Sequence, residues 1–310
     1  MEQTQVANLE NQGYRLVGNH SAVKVCNWTK EAMTCSDVCY KKQFYNIDSH
    51  RCIQASVTVD VCSLKCDFCW RDVNTFSMNV HKPDDPKMIV EGFIQAHTQL
   101  LMGYKGNPHT PTMRFAEAMK PKHVALSLTG DACFYPKLPE LIEEFHTQGM
   151  TTFLVTNGTN PAMIRQLLGH QPTQLYITVG APDKETYDLI LKPVIPRAWE
   201  NLQQSLDLLS QFKRSVIRLT ITKGVNMHNL EGYAELVERG HPLFVEIKGF
   251  MSVGHARGRI GVEGMPSHEE VQHFSKQLCT LTGYQFIDEK ENSRVVLLMK
   301  EDRPDRFLVH

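Results

Sequence analysis

Short apolar runs separated by amphipathic stretches recur along most of this chain. Positions 55–61 alternate, with Val57, Val59 and Val61 on one face, which is the two-residue period of a strand. Runs at 123–128, 151–155, 175–179, 216–221 and 243–247 predict five further strands, and 294–298 a last one. Helical spacing links Leu138, Leu141, Ile142 and Phe145, then Trp199, Leu202, Leu206 and Leu209, then Val271, Phe274, Leu278 and Leu281. One more helix is expected at about 161–168. Strand–helix alternation predicts an α/β fold with a parallel sheet and crossover helices. Six such units are too few for a closed eight-unit barrel, so a partial (β/α)6 TIM-like barrel is expected over residues 56–310, C-terminal elements included. Residues 1–55 show no clean period and hold four cysteines, which predicts an irregular Cys-rich N-terminal extension ordered by metal.

Hydrophobic residues make up 42% of the 310 positions and charged residues 22%, so a sizeable core is available. No apolar run approaches the ~20 residues of a membrane helix, and the opening is too polar for a signal peptide; the expected setting is cytoplasmic, away from membranes. A net charge of −1 and a pI near 6.9 exclude a global basic field, so a nucleic-acid partner would have to use a local patch. Small basic groups such as Arg257 with Arg259 read most simply as solvated surface. The cysteines change this plain picture. There are nine, with seven between positions 26 and 69, and clustered thiols in a reducing cytosol point to metal or redox chemistry.

The segment Cys62-Ser-Leu-Lys-Cys66-Asp-Phe-Cys69 follows the first predicted strand, and parallel α/β folds collect their chemistry beyond strand C-termini. Three thiolates at this spacing can hold three irons of a cubane and leave one iron open. Structural zinc wants four ligands, and no fourth lies in the loop; zinc and unrelated buried thiols are the competing readings. Polar residues also close the later strands: Gly130 and Asp131 after the second, Thr156 and Asn157 at the third, Thr178 on the fourth and Arg218 on the fifth. Each alone is an ordinary turn or surface residue, but their recurrence at successive strand ends marks a ligand site. The Cys-x3-Cys-x2-Cys motif so placed resembles the radical S-adenosylmethionine (SAM) superfamily. That resemblance implies that Cys62, Cys66 and Cys69 hold a 4Fe–4S cluster whose open iron is chelated by SAM. Reductive cleavage of SAM would then release a 5′-deoxyadenosyl radical. It further implies that Phe68 abuts the adenine and that Gly130, Asp131, Thr156, Asn157, Thr178 and Arg218 form the cofactor site.

Twelve residues separate Cys26 from Cys39 and again Cys39 from Cys52, a spacing that matches no common zinc finger. A structural zinc and buried thiols stay open for this triad. Its flanks, Cys39-Tyr-Lys-Lys-Gln-Phe-Tyr45 and Ser49-His-Arg-Cys52-Ile-Gln54, together with Phe68-Cys-Trp-Arg71, Tyr135-Pro136 and Glu246-Ile-Lys248, resemble the archaeal tRNA 4-demethylwyosine synthases. The resemblance runs from about residue 14 onward. It implies a second 4Fe–4S cluster on Cys26, Cys39 and Cys52, also with an open iron. It also implies a reaction that condenses 1-methylguanosine at position 37 of tRNA(Phe) with a two-carbon unit of pyruvate. Pyruvate would sit on that open iron or form a Schiff base with Lys41, which could equally contact only phosphate or solvent. The implied partners are a tRNA anticodon loop and an external flavodoxin- or ferredoxin-type reductant; a monomer is expected. Trp70, Phe76 or Tyr104 could stack the splayed base. Two departures stand out: Gly130-Asp131-Ala132 where relatives have Gly-Glu-Pro, and Thr178-Val-Gly180-Ala181 where they tend to have Ser-x-Asp-Ala. The rival readings are a radical SAM enzyme on another substrate, a non-catalytic iron–sulfur electron carrier and a zinc-stabilised tRNA-binding module.

Overall fold

One ten-stranded sheet runs through residues 3–309, which the computed structural model describes. Its strands are β1 (Arg15–Val17), β2 (Ser21–Val23), β3 (Cys52–Ser56), β4 (His123–Leu126), β5 (Thr151–Thr156), β6 (Gln174–Val179), β7 (Ser215–Ile221), β8 (Phe244–Gly249), β9 (Gln285–Lys290) and β10 (Val295–Met299). Their spatial order is β1-β2-β3-β4-β5-β6-β7-β8-β10-β9. From β3 to β8 every neighbour is parallel, which gives the six parallel strands expected of a partial barrel. The hairpin β1–β2 extends one edge antiparallel to β3, and β10 then β9 extend the other.

Both faces of the parallel strands are buried, each by a different partner. Val124, Leu154, Ile177, Ile217 and Val245 face outward into the layer of helices, among them Pro86–Leu101, Leu138–Thr147, Ala198–Leu209 and His268–Thr282. The alternate positions Ala125, Phe153, Tyr176, Val216 and Phe244 face inward. There they pack on Tyr40, Phe44 and Tyr45 of the short helix Tyr40–Tyr45, which therefore plugs the end of the barrel where the strands begin. Local chemistry sets the helix ends. Asn160 accepts a hydrogen bond from the Met163 N–H ahead of Pro161, and Ser267 and Glu270 form a reciprocal capping box. Among the described residues no helix is long and apolar enough to cross a membrane.

Three expectations need correction. The strand expected at 55–61 lies at Cys52–Ser56 instead. Val57, Val59 and Val61 are buried as the alternation implied, but on irregular backbone. There the Val59 N–H donates to the His20 carbonyl and the Thr58 hydroxyl to the Asp131 carbonyl. Second, residues 1–55 are not irregular throughout: they supply a sheet hairpin, the helices Gln3–Asn11, Asn27–Met33 and Tyr40–Tyr45, and most of β3. Third, Leu281 is exposed while Thr282 is buried, because the inward stripe of the helix His268–Thr282 drifts round by its last turn.

Candidate active site and family

Cys62, Cys66 and Cys69 lie on a loop beyond the C-terminal end of β3, and several protein contacts hold its path. The N–H groups of Lys65 and Asp67 donate to the Leu191 and Ile190 carbonyls at 3.0 and 2.9 Å, and the Val194 N–H donates to the Ser63 carbonyl at 2.9 Å. Arg259 Nε donates to the Asp67 carbonyl at 3.1 Å and its Nη2 to the Cys69 carbonyl. Arg259 is thus a staple on the cysteine loop, not the solvated surface charge expected of it.

The three cysteines line a cavity of about 660 Å³, together with Phe68, Gly130, Asp131, Thr156, Asn157, Thr178 and Arg218. Every residue expected at the cofactor site is therefore brought to one place, and exposed Asn27, Lys30, Met251 and Val253 mark its mouth. Asp131 is 2% exposed, and both its oxygens are taken by the protein. Oδ2 accepts from the Thr156 hydroxyl and the Asn157 N–H, both at 2.8 Å, and Oδ1 accepts from the Cys133 N–H at 2.9 Å. Burial pushes its pKa up, and these donors work against that rise. Asn157 in turn donates to Ser63 Oγ at 3.0 Å and to Cys62 Sγ at 3.6 Å. The carboxylate therefore ties the ends of β4 and β5 to the cysteine loop.

Gly130, common to this chain and its relatives' motif, and Gly180, a departure from theirs, each meet a steric limit. Gly130 has φ +66°, and a Cβ there would collide with the Thr58 carbonyl. A Cβ on Gly180 would lie 2.8 Å from Phe68 Cζ, so the bare backbone is what lets the Phe68 ring rest against the end of β6.

The second cysteine triad sits where three elements begin: Cys26 before the helix Asn27–Met33, Cys39 before Tyr40–Tyr45, and Cys52 as the first residue of β3. Burial pushes Cys39 up to about 11, with Cys26 adding to the rise, and Cys52 up to about 12, against the pull of Lys41. Burial likewise takes Cys62 to about 12, reinforced by Asp131. Bare, these groups are thiols, and loading a metal must release their protons. Of this triad Cys26 lines the cavity with the first three cysteines.

Lys41 is buried, its Nζ 4.8 Å from the ring centroids of both Phe153 and Tyr176. Burial and then the Arg218 charge lower its pKa, which favours a neutral, nucleophilic amine. Arg218 is held in turn by fully buried Glu246, which accepts from its Nε at 3.1 Å and its Nη2 at 2.9 Å. The Tyr40 and Tyr45 hydroxyls donate to the same carboxylate at 3.1 and 2.7 Å. Glu246 and Lys248 had no role in the expected site. Lys248 lines the cavity, donates to the Ser293 carbonyl at 2.7 Å, and is lowered to about 8 by burial and by Arg218. The signal was in the run Phe-Val-Glu-Ile-Lys: two charges two residues apart in a buried strand must face the same interior.

Among the expected stacking residues, Trp70 lines this cavity and Phe76 a different one, while Tyr104 lines neither and packs with Met33 and Leu101. Among the described residues no three His, Cys, Asp or Glu side chains converge as a site for one metal ion. A cubane does not require that, since each thiolate binds a different iron.

The model of the radical SAM superfamily matches residues 56–237, and that of wyosine base formation matches residues 239–300. The S-adenosyl-L-methionine-dependent tRNA 4-demethylwyosine synthase of Pyrococcus abyssi is 46% identical over 305 residues, 96% of this chain and 89% of the relative. This chain belongs to the tRNA 4-demethylwyosine synthases of the radical SAM superfamily. The synthase of Methanocaldococcus jannaschii is 38% identical across 95% of each chain. A solved structure of TYW1 with a lysine–pyruvate adduct bound superposes with a TM-score of 0.91 at 37% identity, covering 99% of both chains. One of archaeal TYW1 gives 0.83 at 34%, covering 99% of this chain and 100% of the other. Membership makes this protein a radical SAM enzyme that forms a carbon–carbon bond, with SAM and a 4Fe–4S cluster as cofactors. The thiol-rich cavity at the strand ends suits both groups.

Proposed function

We propose that this chain condenses N1-methylguanosine-37 of tRNA(Phe) with a two-carbon unit of pyruvate to give 4-demethylwyosine. One observation carries the reading: Cys26 of one triad and all of Cys62, Cys66 and Cys69 line a single cavity. In it Cys62, Cys66 and Cys69 would hold the cluster that binds SAM, and Cys26, Cys39 and Cys52, all within an N-terminal extension of residues 1–55, would hold a second beside it. When bound, the first cluster and SAM supply the radical that takes a hydrogen from the N-methyl group of the base. Phe68, which lines the cavity, would give the adenine a face, and Asn157, fixed by Asp131, borders the cysteine loop.

Lys41 attacks the keto carbon of pyruvate and releases water, forming an imine. The buried, cation-flanked amine suits that step, and TYW1 carries a lysine–pyruvate adduct. Lys41 follows Cys39 by two residues at the start of one helix, so an imine on it and a pyruvate on the second cluster's open iron would be close neighbours. The substrate's methylene radical adds to the imine carbon, and the bond from that carbon to the carboxylate breaks and restores the imine. The carboxylate leaves as carbon dioxide after giving its odd electron to the redox partner, or as formate after gaining a hydrogen atom, and the base amine displaces the Lys41 amine to close the ring. Electrons come from an external flavodoxin- or ferredoxin-type donor, and the protein works as a cytosolic monomer.

Anaerobically reconstituted protein, SAM, a strong reductant, pyruvate and tRNA bearing 1-methylguanosine test this directly. A tricyclic guanosine seen by mass spectrometry, absent without pyruvate and in Cys39→Ala, is the expected result. Formation of 5′-deoxyadenosine with an untouched nucleoside would sink the substrate assignment. Borohydride trapping with pyruvate should mark Lys41; a mark on Lys248 instead would move the imine to that residue.

A further inference from the structure

A second cavity, of about 710 Å³, opens beside the first and is used by none of the chemistry above. The two are neighbours through the chain itself: Trp70 lines the first and Arg71 the second, and Gly130 lines the first and Thr129 the second. Arg71 is 8% exposed and lies between two rings, 4.7 Å from the Tyr14 centroid and 3.3 Å from that of Trp70. Its Nε donates to the Leu128 carbonyl at 3.1 Å, while its Nη2 has no partner. Tyr14 is 3% exposed, lines the same cavity, and its hydroxyl is also unpartnered. Two buried donors left unpaired at one cavity carry a free-energy cost that a ligand would relieve.

The rest of the lining tells which ligand. Asn8 and Gln12 offer amides, Asp60 and Asp72 carboxylates, and Phe76 a ring. Two carboxylates disfavour a bare anion. A nucleotide suits all of these: a phosphate for the unpaired donors, exocyclic amines for the carboxylates and amides, and a base face for the ring. We propose that this cavity is a subsite for a nucleotide next to the modified one, with its phosphate on Arg71 and Tyr14 and its base against Phe76. The proposal rests on tRNA being the substrate. It explains how a base can be held splayed in the first cavity: its chain neighbour is gripped one residue along the same protein segment, so remote binding orients the reacting group.

Binding of 1-methylguanosine tRNA to the iron-loaded protein, without reductant and over a salt series, is the test. Arg71→Gln should raise Kd about tenfold and flatten the slope of log K against log salt by about 0.7, the value for one phosphate contact on a single strand. Phe76→Ala should cost about tenfold through lost stacking. Tyr14→Phe, which removes one atom far in sequence from the cysteines, should cost about fivefold. If no ligand meets that hydroxyl, its removal leaves Kd unchanged and raises Tm, and the proposal falls. An effect of Arg71→Gln without one of Phe76→Ala would mean a phosphate site only, overturning the nucleotide. Wild-type affinity in all three variants of a protein that modifies tRNA overturns the subsite and spares the reaction. A wild-type protein that neither binds nor modifies tRNA would bring down the reaction, and the subsite with it.

Discussion

Replacing Glu246 by Gln takes the charge from a fully buried carboxylate that faces Arg218, Tyr40 and Tyr45. Arg218 has a side chain 14% exposed, so little water is at hand to take over. Breaking a buried pair from one side typically costs about 3–5 kcal/mol, because the surviving charge keeps its desolvation penalty. At roughly 2 °C per kcal/mol for a chain of this size, the melting temperature should fall by about 6–10 °C. Thermal melts and urea titrations of the variant and parent read the loss, and a double variant carrying Arg218→Met with Glu246→Met should recover most of it. The same change reaches Lys41. Glu246 favours its ammonium and Arg218 opposes it, so removing the carboxylate lowers the Lys41 pKa further. The pH at which half the protein is trapped as the pyruvate adduct should accordingly move down. A stability loss under about 1 kcal/mol, or a trapping midpoint that stays or rises, would refute this picture of the barrel interior.

Asp131→Asn puts a donor where one of three N–H or O–H groups now donates; a loss of about 2–3 kcal/mol by urea titration is expected, with weaker SAM cleavage as Asn157 loses its anchor. Gly180→Ala drives a methyl into the Phe68 ring, and SAM binding, read by equilibrium dialysis, should weaken while the fold loses about 1–2 kcal/mol. Lys248 titrates at about 8 when folded against 10.5 when unfolded, so between those values the unfolded chain holds the extra proton and stability rises with pH. Subtracting the pH–stability curve of Lys248→Met from that of the parent should isolate this rise; a difference that is flat across that window would contradict it.

How much of this was legible beforehand depends on whether the cause was local. β4 to β8 announced themselves because strands buried on both faces are written as apolar runs. β9, Gln-Phe-Ile-Asp-Glu-Lys at the sheet edge, has no such run and went unseen. Val57, Val59 and Val61 misled for the opposite reason: burial on irregular backbone copies the alternation of a strand. The cysteines needed only spacing. Arg259 and the pair Tyr14 with Arg71 depend on partners 57 to 192 residues away, and nothing in their own neighbourhood of the sequence distinguishes them from surface charge or core, whereas Glu246 and Lys248 carried a local signal in their own buried strand.

The helix Tyr40–Tyr45 closes the barrel where its strands begin, while the cavity mouth lies at Asn27, Lys30, Met251 and Val253. A chamber plugged at that end and entered at its mouth imposes an order of entry. On the proposed reaction, pyruvate travels to the closed end beside Lys41, and an anticodon loop that arrives afterwards becomes the lid. RNA that docks on an empty chamber shuts out its own co-substrate, so excess tRNA acts as an inhibitor that more pyruvate relieves.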